Sequence, residues 1–252
     1  MNRVEFAQNR FNELFNNDDF SFKDTDTEFY NSVKNFVYGD VHQQGKLSLK
    51  KRELITIVVL TAAGQSEYLE KHIEAALNVG VTPLEIKEAI YQTAPYCGIP
   101  KSVASLKQAN VVLKKRNIKL PLKTHSTVIE ENRYEEGLAV QVKIFGEGMR
   151  NASSNYPKNL QHIPKYLSEY CFGDFYTRGS LDLKTRELLT LCMLVSLGDT
   201  SAQLKAHIQG NLNSGNDKET IIAAINQSLP YVGFPRTLNA LNILNEVIPE
   251  DK

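Results

Sequence analysis

The decapeptide LSLKKRELIT, Leu47–Thr56, returns as LDLKTRELLT, Leu181–Thr190, with Arg-Glu at the centre of both copies. The match extends outward. Tyr38–Gly64 (YGDVHQQGKLSLKKRELITIVVLTAAG) aligns without a gap with Phe172–Gly198 (FGDFYTRGSLDLKTRELLTLCMLVSLG). After one inserted residue, His72–Gly80 (HIEAALNVG) aligns with His207–Gly215 (HIQGNLNSG), and Tyr91–Ser102 (YQTAPYCGIPKS) with Asn226–Thr237 (NQSLPYVGFPRT). A period of about 134 residues is too long for a solenoid and reads as a duplicated domain whose halves pack about a pseudo-twofold axis.

Each copy reads as helices. Ser48 and Asp182 are N-caps, and the apolar residues after them recur at helical spacing until Gly64 and Gly198 supply a C-terminal stop. A strand is the rival for ELITIVVLT, but a strand is normally bounded by turns after 4–8 residues, and this run lies inside a longer capped segment. A second helix is expected over Ser66–Asn78, stopping at Gly80, with its copy stopping at Gly215. Thr82, Pro83 and Glu85 spell an N-cap, a first-turn proline and a capping box for a helix ending near Thr93. PYCGIP and PYVGFP then break the chain before a last helix over Pro100–Leu113. Arg133–Met149 reads as a helix opening the second half, with a weaker counterpart in Arg3–Phe15. The basic, aperiodic stretch from Lys114 to Ile129 reads as a linker. The expected organisation is all-α, with domains at 1–113 and 130–252 joined by 114–129.

Composition narrows the function classes. The 252 residues carry 29 basic and 29 acidic side chains, so no global charge advertises nucleic acid or an anionic membrane surface as a partner. No apolar run reaches the roughly 18 residues of a membrane span, and the charged, amide-rich N-terminus does not resemble a signal or transit peptide, so a cytoplasmic location is expected. Cys97, Cys171 and Cys192 are far apart, with no C-x-x-C and no zinc-type spacing, which predicts reduced, buried thiols and no metal site.

R-E-L-x-T followed by Gly, a His leading into an Asn-x-Gly helix end, and Q-x-x-P-Y-x-G-x-P together resemble the carboxymuconolactone decarboxylase family, whose fold is the alkylhydroperoxidase D-like helical domain. The second half is the more similar to 4-carboxymuconolactone decarboxylases, through Arg133, Gly137, Phe145-Gly146, Phe172-Gly173-Asp174, Arg178-Gly179 and Leu181. The chain has no tryptophan, however, and Tyr176 and His42 stand where the longer family pattern carries one. The resemblance implies loss of carbon dioxide from a small carboxylated, unsaturated lactone or related acid. Such a substrate is its own electron sink, so no cofactor is implied. The resemblance also implies a homo-oligomer, with single-domain members forming hexamers and a fused pair reaching the same assembly as a trimer.

The family's redox branch uses a Glu, a C-x-x-C pair and a His. Here Glu53 and His72 keep that spacing, but Gln65 and Tyr68 occupy the cysteine positions; in the second half Glu187 and His207 remain beside Thr200 and Gln203. A thiol peroxidase needs an attacking thiolate and a resolving partner, which disfavours the alkylhydroperoxidase alternative. A non-catalytic, small-acid-binding oligomer is the other alternative.

Decarboxylation asks the protein to hold a carboxylate, to offer donors to a developing enolate oxygen and to deliver a proton to carbon. His207 and His72 suit proton delivery, and Glu187 and Glu53 could orient them. Arg186, Arg178 and Arg52 suit a carboxylate, because a planar guanidinium grips it with two bonds. Arg178 has no copy in the first half, where Gln44 stands. The bland readings are a core histidine, a carboxylate at a helix start favoured by the macrodipole, and a surface arginine partner. Within a hairpin turning at Gly64 the Glu and His side chains lean apart, towards their own helix N-termini, so a water, the other half or another subunit is expected to complete the site.

Overall fold

The computed structural model describes residues 2–16 and 20–250, and no strand occurs among them. The first half contains α1 (Arg3–Phe15), α2 (Thr27–Lys34), α3 (Leu49–Ala63), α4 (Ser66–Asn78), α5 (Pro83–Tyr91), the short α6 (Ala94–Cys97) and α7 (Ile99–Lys115). No helix forms over 116–132. The second half contains α8 (Arg133–Phe145), the short α9 (His162–Tyr166), α10 (Leu183–Leu197), α11 (Ser201–Asn213), α12 (Lys218–Val232) and α13 (Phe234–Val247).

α3 and α10 form the centre. Their caps are those expected: the Ser48 side chain accepts from Lys51 N at 3.4 Å and the Asp182 side chain from Thr185 N at 2.8 Å. Both helices are buried without interruption, from Arg52 to Ala62 and from Arg186 to Ser196, which explains why apolar residues surround them on every side. Leu54, Ile57 and Val58 share one core with Leu188, Cys192 and Met193, and the Ser196 hydroxyl donates to Val59 O at 3.0 Å. The two halves are therefore a single hydrophobic unit at their junction.

Two expected boundaries move. The helix from Arg133 stops at Phe145, and residues Glu147–Asn155 form a 3-10 segment instead. The two Pro-Tyr motifs also differ. Before Pro95 the helix ends at Tyr91, whereas Pro230 lies inside α12; Gly98 and Gly233, both at positive φ, then end α6 and α12. α2 runs on into a π-helical turn over Asn35–Asp40, and α9 into a longer one over Leu167–Tyr176. The YGD and FGD motifs lie in these turns. Their glycines admit a crossing helix, because a Cβ on Gly173 would come within 2.3 Å of Arg133 O.

Candidate functional site

Glu53 on α3 and His72 on α4 meet directly, Oε2 to Nδ1, at 2.8 Å. Glu187 on α10 and His207 on α11 do the same at 2.8 Å. The lean of helical side chains does not keep the partners apart, because the helices of each hairpin pack closely and the long Glu side chain spans the remaining axial offset. Glu53, His72 and Glu187 are essentially inaccessible, and His207 is 7% exposed. With an acceptor-only carboxylate at Nδ1, the ring's Nδ1–H is fixed and Nε2 is left to do chemistry.

A residue of the other half faces each histidine, one that the sequence reading treated only as part of a chain break. Tyr231, from the second Pro-Tyr motif, stands against His72: the rings are 5.5 Å apart, edge to face, and its hydroxyl lies 3.4 Å from His72 Nε2. Tyr96, from the first Pro-Tyr motif, stands against His207 at 5.8 Å. The exchange is reciprocal, as a pseudo-twofold relation requires. The duplication of this tyrosine in both copies, the same signal that singled out the histidines, could have found it.

The two sites are not alike. Tyr96 is held away from His207 by Tyr176, whose hydroxyl is 3.1 Å from its own, and by the Cys171 thiol, which donates to it at 3.4 Å. Tyr176 is in turn bonded to Thr190 at 2.6 Å. In the first half these places are taken by His42 and Val37, and among the described residues neither bonds Tyr231, whose hydroxyl faces His72. Among the described residues no group bonds His207 Nε2, and His207 lines a cavity of about 850 Å3 with Tyr96, Phe145, Thr200 and Gln203. The cavity over His72 is about 270 Å3, narrowed by Phe20, Phe22 and Phe29. Burial raises the Tyr96 and Tyr176 hydroxyls well above their ordinary value and pushes the Cys171 thiol up to about 12, so all three are protonated donors.

The three arginines expected to grip a substrate carboxylate lie elsewhere. None of Arg52, Arg178 and Arg186 lines either histidine cavity. Arg52 donates to Gln227 Oε1 at 2.8 Å, to His42 O at 3.1 Å and to Gln44 O at 2.8 Å. Arg186 makes the reciprocal bond to Gln92 at 3.0 Å, then bonds Arg178 O and the Glu88 carboxylate. Arg178 Nε reaches both Glu88 oxygens, at 2.8 and 2.9 Å. The physical reason is helical geometry: adjacent residues point about 100° apart, so Arg52 and Arg186 face the junction between halves while Glu53 and Glu187 face their own hairpins. Burial lowers Arg52 to about 10 and also lowers Arg186.

Comparison with known proteins gives the family and the fold. The carboxymuconolactone decarboxylase family model matches twice, over residues 27–110 and 161–246. A 4-carboxymuconolactone decarboxylase from Acinetobacter baylyi is 36% identical over 94 residues, 37% of this chain and 70% of that protein. A nitrosuccinic acid decarboxylase from Metarhizium robertsii is 37% identical over 76 residues, 29% of this chain, and the match spans about half of that protein (52%). A solved chain from Burkholderia xenovorans LB400, provisionally described as a gamma-carboxymuconolactone decarboxylase subunit, superposes with a TM-score of 0.57 at 17% identity over 97% of both chains, a likeness of fold. The chain belongs to the carboxymuconolactone decarboxylase family, which it carries as two tandem all-α copies.

Proposed function

We propose that the chain is a cofactor-independent carboxy-lyase acting at His207 on a small unsaturated acid, such as a carboxylated lactone. One observation carries this reading. His207 is fixed at Nδ1 by Glu187, and its Nε2 is unbonded among the described residues beside an 850 Å3 cavity. That arrangement suits delivery of a proton to carbon. Two relatives named as decarboxylases support the reaction class. His72 is the weaker candidate, because Tyr231 already stands at its Nε2 and its cavity is about a third as large.

The test is carbon dioxide release from a panel of lactones and unsaturated carboxylic acids. With a substrate in hand, His207→Gln is expected to lower kcat by at least about 100-fold, the ordinary cost of losing a general acid, and His72→Gln to cost much less. Glutamine keeps a hydrogen-bonding group beside Glu187, which limits the stability loss. Equal, small effects from both substitutions would defeat the assignment of proton delivery to either histidine, and no turnover across the panel would favour a non-catalytic binding protein. A large loss from His72→Gln alone would move the reaction to the first half.

A further inference from the structure

Among the described residues no lysine or arginine lines the large cavity. Its charged or chargeable groups among them, besides the Cys171 and Tyr96 donors, are His207 and Asp199, the latter exposed. Amides and a hydroxyl supply the polarity: Gln141, Gln203, Gln209, Asn213 and Thr200. Arginines elsewhere in the second half are bonded to other groups. Arg178 and Arg186 hold Glu88, Arg133 holds Asp174 through Nε and Nη2, and Arg236 donates to Ser196 O at 2.6 Å.

Unlike protonated His207, which gives up its charge with its proton, a fixed cation beside the carboxylate that leaves would oppose the reaction. It stabilises the charge of the ground state, and that charge has moved to another atom in the transition state. A second, spectator carboxylate is different. It keeps its charge throughout, and the one cation that the described residues offer in the cavity, protonated His207, is committed to the reacting carbon, so a second carboxylate would lose its hydration there without a partner. An exposed Asp199 carboxylate on the cavity wall repels it further.

We propose that the His207 site takes a monocarboxylate, the carboxylate it removes, conjugated to a neutral carbonyl group that the cavity amides bind. The inference rests on the lyase reading above and narrows its substrate class. In the step, the carbon–carboxylate bond breaks and its electron pair passes through the conjugated double bond to the carbonyl oxygen, giving an enolate. Carbon dioxide departs neutral. Protonated His207 delivers its Nε2 proton to carbon as the enolate collapses, and the imidazole recovers a proton from water. One proton is consumed for each carbon dioxide released.

The experiment compares matched pairs on the full-length protein: an unsaturated γ-lactone bearing one carboxylate against the same lactone bearing two, read by carbon dioxide release. The monoacid is expected to have the higher kcat/KM by about 10- to 100-fold, the worth of one unmatched charged hydrogen bond. Gln203→Arg, which places a cation in the cavity wall, is expected to narrow or reverse that preference. A wild-type preference for the diacid, or an unchanged ratio in Gln203→Arg, would overturn the proposal. If neither compound reacts, the panel above decides the lyase reading, and calorimetry with the saturated mono- and dicarboxylate lactones decides the charge question alone. Tighter binding of the monoanion supports it, and equal or tighter binding of the dianion overturns it.

Discussion

Replacing Glu88 by glutamine separates a structural arginine cluster from a substrate-binding one. Glu88 lies on α5, is fully buried, and is the carboxylate that receives both Arg178 and Arg186 across the junction between halves. Glu88→Gln conserves shape and removes the charge. One oxygen of the former carboxylate becomes an N–H2 group pointing at a guanidinium, so a donor meets a donor. Arg186, itself inaccessible, is left a buried cation whose remaining acceptors are Gln92 and a backbone carbonyl. Removing one partner of a buried ion pair costs about 3–5 kcal/mol. At about 2–4 °C per kcal/mol for a chain of this size, the melting temperature should fall by about 6–20 °C. Thermal and urea unfolding followed by far-ultraviolet circular dichroism would measure this. A loss below about 1 kcal/mol would show Arg178 and Arg186 satisfied by solvent, as an exposed pair is, and would return them to candidacy as substrate ligands.

Burial pushes the Cys97 thiol up to about 11 and those of Cys171 and Cys192 up to about 12, so almost no thiolate exists at neutral pH. Thiol labelling of the folded protein should therefore be slow at neutral pH, and a variant with all three cysteines changed to serine should match the wild type under peroxide; a peroxidase activity lost in that variant would contradict this. We also expect self-association. Ile99 and Val103 on α7, and Phe234 and Leu238 at the matching positions of α13, are exposed apolar residues on corresponding helix faces, and light scattering should give a mass near three times 28.4 kDa. A clean monomer at micromolar concentration would rule it out.

The fold was legible where local chemistry decides it. Ser48, Asp182 and the Thr82–Glu85 capping box set helix starts by bonds within one turn, and those starts stand where expected. What could not be read depends on distant chain. α2 begins at Thr27 without a side-chain cap, and the π-helical turn after it accommodates α1 crossing at Gly39, where a Cβ would approach Arg3 O at 2.9 Å. Pro230 inside a helix, when Pro95 follows the end of one, is likewise a difference that two nearly identical motifs do not announce. The Glu–His dyads were suggested by repetition, not by contact. Arg-Glu read as one charged unit because its members are adjacent in sequence, although on a helix adjacency places them on different faces.

Reciprocity between the halves explains how a duplicated chain can hold two unlike sites. Each histidine is faced by a tyrosine from the opposite half, so neither half contains a whole site. What differs is who holds the tyrosine. Tyr176 and Cys171, second-half residues, engage Tyr96 and leave His207 Nε2 unbonded, among the described residues, at a large cavity. Their counterparts His42 and Val37 do not, and Tyr231 approaches His72. His42 is buried with both ring nitrogens unbonded among the described residues, and burial, followed by the nearby Arg52 charge, lowers its pKa well below the usual value, so it stays neutral. Two side-chain differences in the shell behind the tyrosine thus accompany an Nε2 unbonded among the described residues in one copy and an Nε2 met by a tyrosine hydroxyl in the other, while the Glu–His pair itself is unchanged at 2.8 Å in both. The two copies differ in the shell around the dyads, and the dyads alone do not reveal it.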